Sequence, residues 1–399
     1  MANTAFGSRN TPVAPLRQAR VTFVYLGTAH AFAGFVSELA RASTLLVDLK
    51  ITFIVAANRP ASVQLQRMGV RTFSVPGVDV QTPLSVVRAY FRARERFINF
   101  LDAEQPDLVI SLMPHIWSPF LASVIKRRCR AYVTLIHDAV PHPGDRSGCV
   151  TRWLLWDARR ADCVVTLSNV VAAALAHKRI KRPDHILPLF HPYLTQKSGP
   201  TCRKLGTGQT FRLLFFGRIL AYKGLPLLVE AIEILKHRGM SIVLGVAGAG
   251  DIARLKTRLA ALGANVINRT LSNDEVAELL TKYDAMVCSH IEASQSGVAA
   301  LAFGSCMPVV ATPVGGLVEQ VIPGQTGVLA ANVTAPALAD AIQELISVPH
   351  LYDQISRHLK ETYRSRSMET FLGELIAFTL PSDFHLKSTD VNGAKRIMS

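Results

Sequence analysis

The chain has 399 residues, 49% of them hydrophobic and 18% charged. That excludes a disordered polyelectrolyte and leaves enough apolar side chain for two cores. The formal net charge of +15 fits a nucleic acid, an anionic membrane or a polyanionic substrate. The densest basic runs, residues 126–130 and 178–182, carry no interleaved aromatics and no nucleic-acid motif, so a membrane surface ranks above nucleic acid. The six cysteines are scattered, with no Cys-x-x-Cys pair, as expected of reduced thiols in a cytosolic protein.

In chain order, strand-length apolar runs alternate with helical stretches. The first series is Arg20–Leu26, Lys50–Ala56, Arg71–Val75, Leu108–Met113, Ala131–Ile136, Cys163–Leu167 and His185–Pro188. A linker composition rich in Lys, Gly, Thr and Ser follows, and then a second series: Phe211–Phe216, Ser241–Ala247, Ala264–Asn268, Ala285–Cys288 and Pro308–Ala311. Continuous apolar strands between helices predict parallel sheets buried on both faces. The expected fold class is α/β, two Rossmann-like doubly wound domains facing across a cleft. The expected division is residues 1–195, a linker at 196–210, a second domain at 211–380 closed by helices over Leu351–Leu380, and a disordered tail at 381–399. The chain opens polar, without a signal-peptide pattern, and no run reaches the roughly 20 apolar residues that span a bilayer.

Residues Leu84–Leu101 predict a helix, with Val87, Tyr90, Phe91, Arg94, Phe97 and Leu101 at helical spacing and Arg88, Arg92 and Arg96 as a basic face. Two readings stand: a packed surface helix with solvated arginines, or a helix lying on an anionic membrane.

The segment Phe215-Phe216-Gly217-Arg218-Ile219-Leu220-Ala221-Tyr222-Lys223-Gly224 links the first strand of the second series to a helix. Gly217 permits a tight exit from the strand, and Arg218 and Lys223 put two cations beside a helix N-terminus. Cations, N–H groups and helix dipole together suit a diphosphate. A second strand-to-helix turn, His290-Ile291-Glu292-Ala293-Ser294-Gln295-Ser296-Gly297-Val298-Ala299, offers a carboxylate and an amide for sugar hydroxyls, and N–H groups at Ser296 and Gly297. Taken alone it also reads as a helix cap. A third, Thr312-Pro313-Val314-Gly315-Gly316-Leu317-Val318-Glu319, again pairs a glycine turn with an acid.

In that order, with the later Gly-Gln-Thr-Gly, these segments resemble the donor domain of the family 4 glycosyltransferases, retaining enzymes of the GT-B fold. The resemblance covers about residues 211–329; the first half matches in pattern only. It implies that Arg218 and Lys223 neutralise the donor diphosphate. It also implies that Glu292 is the first acid of the family's Glu-x7-Glu pair and grips the donor sugar, with Gly217, Gln295, Ser296, Gly297 and Val298 lining the donor site. The second acid is missing: Ala300 stands in its place, beside Ala299. Gln295 and Glu319 are the candidates for its role. His137, ending the strand Thr134-Leu135-Ile136, resembles the family histidine that touches the donor sugar. Gly27, in a strand-to-helix loop expected over Gly27–Gly34, and His115 fall on the acceptor side. His115 and His142 also read as hydrogen-bonded loop histidines, and a His137–His142–Asp145 metal site as a remote option.

The resemblance implies a hexosyltransferase that moves a hexose from a nucleotide diphosphate sugar, such as UDP-glucose or GDP-mannose, to a hydroxyl acceptor. The acceptor would be a lipid-linked or growing polysaccharide and the transfer retaining. The chain holds no Asp-x-Asp, so the reading is metal-independent and without a cofactor. Its expected setting is the cytoplasm or, peripherally, the cytoplasmic face of an inner membrane, in exopolysaccharide and envelope assembly. Three rivals are weighed: a catalytically inactive sugar-nucleotide-binding partner of the same fold, a sugar-nucleotide epimerase, and a dinucleotide oxidoreductase resting on the weak fingerprint Gly248-Ala249-Gly250.

Overall fold

The computed structural model of the chain describes residues 18–27, 30–77, 83–139, 148–195, 199–205 and 210–381. His142, Asp145 and the tail from residue 382 on lie outside these.

The first sheet has seven parallel strands: β1 (Ala19–Tyr25), β2 (Leu49–Ala56), β3 (Thr72–Val75), β4 (Leu108–Ser111), β5 (Ala131–Ile136), β6 (Cys163–Thr166) and β7 (Ile186–Pro188), in the order β3-β2-β1-β4-β5-β6-β7. Between them run α1 (His30–Ser43), α2 (Pro60–Arg67), α3 (Pro83–Glu104), α4 (Ser118–Lys126), α5 (Gly148–Arg160) and α6 (Asn169–His177). Side chains alternate across a strand. Phe23 and Tyr25 therefore enter the core under α1 and α2, while Val24 enters the one under α3 and α4. Burial on both faces is why these strands read as unbroken apolar runs. The long helix runs further than expected at both ends, and its apolar positions divide: Phe97 and Leu101 are buried, Tyr90 is half-buried, and Val87 and Phe91 face outward.

The second sheet has six parallel strands: β8 (Phe211–Phe216), β9 (Ile242–Ala247), β10 (Asn265–Ile267), β11 (Ala285–Cys288), β12 (Val309–Ala311) and β13 (Gly327–Leu329), in the order β10-β9-β8-β11-β12-β13. Its helices are α7 (Leu225–His237), α8 (Lys256–Ala261), α9 (Asn273–Lys282), α10 (Gly297–Gly304), α11 (Leu317–Gln320), α12 (Ala335–Ser347), α13 (Leu351–Thr362) and α14 (Met368–Thr379). The linker is pinned at Arg203, whose guanidinium donates to the carbonyls of Leu280, Tyr283 and Ser305 at 2.7–3.0 Å. All three lie at or near the C-terminal ends of α9 and α10, where a cation satisfies orphan carbonyls and the dipole.

Three sequence expectations change. The edge strand β13 was not anticipated. Helix α1 already begins at His30, so Gly34 lies inside a helix and not in the first loop. And α14 does not close the second domain. Met368, Phe371, Leu372, Leu375 and Ile376 belong to the core under α1, with the Phe371 ring 5.8 Å from Phe35 and 6.0 Å from Phe190. Arg41 of α1 pairs with Glu369 at 2.9 Å. The chain thus crosses between domains twice. The crossings lie side by side: Tyr193 N–H donates to the Arg366 carbonyl at 2.7 Å, and the hydroxyls of Thr195 and Tyr363 are in hydrogen-bond contact.

Candidate functional site

In each sheet the strand order reverses at one point, between β1 and β4 and between β8 and β11. Loops leaving the carboxyl ends diverge there and open a crevice. The two crevices face one another and are bridged by hydrogen bonds. Gln295 Nε2 donates to His137 Nδ1 at 2.9 Å, and Ser168 Oγ donates to the Ser294 carbonyl at 2.9 Å.

From β8 the chain turns at Gly217 (φ 111°), where a Cβ would press on Val298 Cγ2 at 3.3 Å. Arg218 is exposed. A short 3-10 turn over Ala221–Lys223 ends at Gly224, which caps α7 in the left-handed region at φ 68°. A Cβ on Gly224 would stand 1.8 Å from the Ser289 carbonyl oxygen, so only glycine permits this approach. The approach fastens the loop after β11 to the Lys223 turn: Ile291 N–H donates to the Tyr222 carbonyl at 2.7 Å, and Ser289 Oγ to the Lys223 carbonyl at 3.0 Å.

Lys223 Nζ donates to His290 Nε2 at 2.7 Å and lies 5.2 Å from the Tyr222 ring centre. Burial pushes the ammonium down to about 8, and the nearby Arg218 charge adds to the fall. Two cations held together at a helix start, one of them desolvated, form a site short of negative charge. Glu292 is half-buried in the loop between His290 and α10.

His137 is half-buried, and its Nε2–H donates to the Leu112 carbonyl at 3.0 Å, leaving Nδ1 as the acceptor for Gln295. Burial holds the imidazole pKa below its ordinary value, so the ring is neutral at neutral pH. The other Gln295 side-chain atom, Oε1, is buried and accepts no hydrogen bond among the described residues, an unusual state for an amide oxygen.

Ser296 Oγ caps α10 through Ala299 N–H at 3.3 Å. The Ser296 N–H is not offered to a ligand as the sequence suggested: it donates to Gln320 Oε1 at 2.7 Å. The next two N–H groups, of Gly297 and Val298, donate to no group among the described residues.

Glu319 reaches across to the first domain. Its carboxylate accepts from Asn169 N–H at 2.8 Å, Val170 N–H at 2.8 Å and Asn169 Nδ2 at 2.9 Å, capping α6 of the other domain. The glycine turn before it signals an acid near a helix start, but not which helix it faces. Ala300 and Ala299 are wholly buried, so position 300 presents nothing to the cleft. His115 serves its own loop: its Nδ1 accepts from Trp117 N–H at 3.3 Å, and burial brings its pKa down to about 4. Gly27 lies against the Tyr25 ring, from which Phe32 leads to His137 with ring centres 5.6 and 4.5 Å apart.

Sequence reasoning missed two residues. Gln320 grips Ser296 from both sides, also donating Nε2–H to its carbonyl at 3.2 Å. His191 follows the end of β7. Its Nδ1–H donates to the Pro192 carbonyl at 3.0 Å, burial lowers its pKa to about 4, and a Cβ on Gly297 would lie 3.6 Å from its Nε2. The signal available for it was a histidine at the exit of a carboxyl-end strand.

Two parallel-sheet domains apposed at their strand carboxyl ends define the GT-B fold. Residues 36–189 match the family described as Glycosyltransferase Family 4, and residues 210–348 match the one described as Glycosyl transferases group 1, so both halves are glycosyltransferase-family domains. Over 171 residues the chain is 31% identical to D-inositol 3-phosphate glycosyltransferase of Arthrobacter sp. (strain FB24), covering 41% of this chain and 39% of that protein. Over 259 residues it is 30% identical to glycogen synthase of Mycobacterium tuberculosis (strain CDC 1551 / Oshkosh), covering 58% of each. The chain thus spans 39% and 58% of the length of these two relatives. The crystal structure of Anabaena Alr3699/HepE in complex with UDP and glucose aligns with a TM-score of 0.67 at 16% identity, over 91% of this chain and 99% of that one, a likeness of fold.

Proposed function

We propose that the chain is a glycosyltransferase that moves a hexose from a nucleotide diphosphate sugar to a hydroxyl of a saccharide or lipid-linked acceptor, with retention and without metal. The observation that carries this reading is the desolvated Lys223 beside Arg218 at the start of α7, in the domain whose Gln295 bridges the cleft to His137. Lys223 and Arg218 take the charge that develops on the departing diphosphate, in a site where water screens it little. The α10 N–H groups of Gly297 and Val298 add to this. Gln295 Oε1 lacks a donor and His191 Nε2 is a lone-pair acceptor, so both suit sugar hydroxyls, as does Glu292. His137, neutral, supports the sugar face through Gln295. The UDP and glucose of the Anabaena neighbour agree with such a donor. Its proposed setting is exopolysaccharide or envelope assembly, in the cytoplasm or peripherally on the cytoplasmic face of an inner membrane. No helix among the described residues is long and apolar enough to cross a bilayer.

A thermal-shift panel of UDP-, GDP- and ADP-sugars in EDTA tests the donor site, because a ligand that binds only the folded chain stabilises it by mass action. A shift with one nucleotide class is expected, followed by product formation from that donor and a loss of turnover on the order of 100-fold in Lys223→Ala. Unchanged turnover in that variant removes Lys223 from the mechanism. Binding without product under any acceptor favours the inactive partner protein, for which Ala300 in place of an acid speaks.

A further inference from the structure

Away from the cleft, the first domain carries an unbroken row of aromatic rings over three helices. It runs from Phe91 to Tyr90 of α3 (5.3 Å between ring centres), to Phe120 of α4 (5.6 Å), to Trp153 (5.0 Å) and Trp156 (6.5 Å) of α5. Several of its members face water: Phe91 is 60% exposed, Phe120 53% and Trp156 46%, with Val87 and Ile116 beside them. The row is held in place, since Trp153 Nε1–H donates to the Ile116 carbonyl at 2.9 Å. Contiguous exposed aromatics on this scale mark an interaction surface.

The charge around the row has one sign. Arg88 and Arg92 are exposed one residue beyond Val87 and Phe91, and Arg152 is exposed one residue before Trp153. The guanidiniums of Arg159 and Arg160 lie 5.9 and 5.8 Å from the Trp156 ring centre. No acid occurs between Asp107 and Asp138, and Glu95, one turn past Phe91, marks the edge of the patch. Arg96, expected to share the basic face, instead lies over Phe73, 5.4 Å from its ring centre, because every fourth residue drifts around a 3.6-residue helix.

We propose that this α3–α4–α5 face docks on an anionic lipid bilayer, with its aromatic rings at headgroup depth and its arginines on the lipid phosphates. Tryptophan and tyrosine favour that depth because one end of each ring is apolar and the other polar. Anionic headgroups complement the arginines. A second copy of the chain does not: it would set cations against cations. The face also leads to the cleft. Trp117 meets Tyr90 edge-on at 5.9 Å and His115 edge-on at 5.0 Å, and His115 follows the carboxyl end of β4. A membrane-held acceptor therefore has a short path to the site. The inference builds on the membrane setting proposed above but rests on this surface alone.

All three tryptophans of the chain, Trp117, Trp153 and Trp156, belong to this face, so intrinsic fluorescence reports on it. The whole chain is mixed with phosphatidylcholine vesicles with and without phosphatidylglycerol, followed by sedimentation and tryptophan emission. Binding to anionic vesicles only, with a blue shift and with loss on adding salt, is expected. Each cation near such a surface contributes about fivefold, so the double variant Arg88→Gln, Arg92→Gln should bind roughly 25-fold more weakly. Phe91→Ser with Phe120→Ser should abolish the blue shift at an unchanged melting temperature. It should also keep its nucleotide-sugar thermal shift, which separates this result from failure of the donor site. Sedimentation without a blue shift, equal binding to neutral vesicles, or wild-type binding by both variants overturns the proposal.

Discussion

Lys223 is a lysine in unfavourable surroundings. The folded chain releases its proton near pH 8, against an ordinary value of 10.5. Between those values the unfolded chain binds more protons, so the empty protein gains stability as pH rises through that window. A bound diphosphate reverses the preference, since it needs the ammonium. Nucleoside diphosphate affinity should therefore fall above pH 8, by up to about tenfold per pH unit, and Lys223→Arg should flatten the profile. Calorimetric titration across the range checks both; a flat wild-type profile would show that the lysine charge is not used. The motif segments were legible at this scale because a glycine, two cations and a strand exit have few joint uses. Glu319 was not, because its partners, Asn169 and Val170, lie about 150 residues away in sequence and nothing local names them.

At the scale of elements, buried parallel strands announce themselves: β5, β8 and β11 begin and end where their apolar runs do. The strand β13 has three residues inside a glycine turn and offers no such run. The pattern of α14 shows that it has an apolar face without saying which core receives it. That core is the first, and Phe371 is wholly buried in it. Phe371→Ala should cost about 3–5 kcal/mol, seen in denaturant unfolding. The loss should fall on the first domain, followed by its tryptophan emission; a loss confined to the second would contradict the packing described here.

For the whole molecule, the cleft is held by contacts between side chains and loops of the two domains. One of them carries charge, the Glu319 carboxylate on the start of α6, and a carboxylate at a helix N-terminus is worth roughly 0.3–2 kcal/mol. Glu319→Ala should open the cleft, raising the radius of gyration in small-angle scattering and weakening donor binding several-fold, with Lys223 untouched. Scattering identical to wild type would mean that the other bridges suffice.

The paired crossings at Tyr193 and Arg366 have a mechanical consequence. A single tether lets two bodies swing, twist and drift. Two tethers bonded side by side suppress twist and drift and leave one swing, about an axis along the pair. Each opening of the jaws would then retrace the same arc, returning His137 to Gln295 in register without a search. It also places the end of α14 on the first jaw, although the chain reaches it from the second.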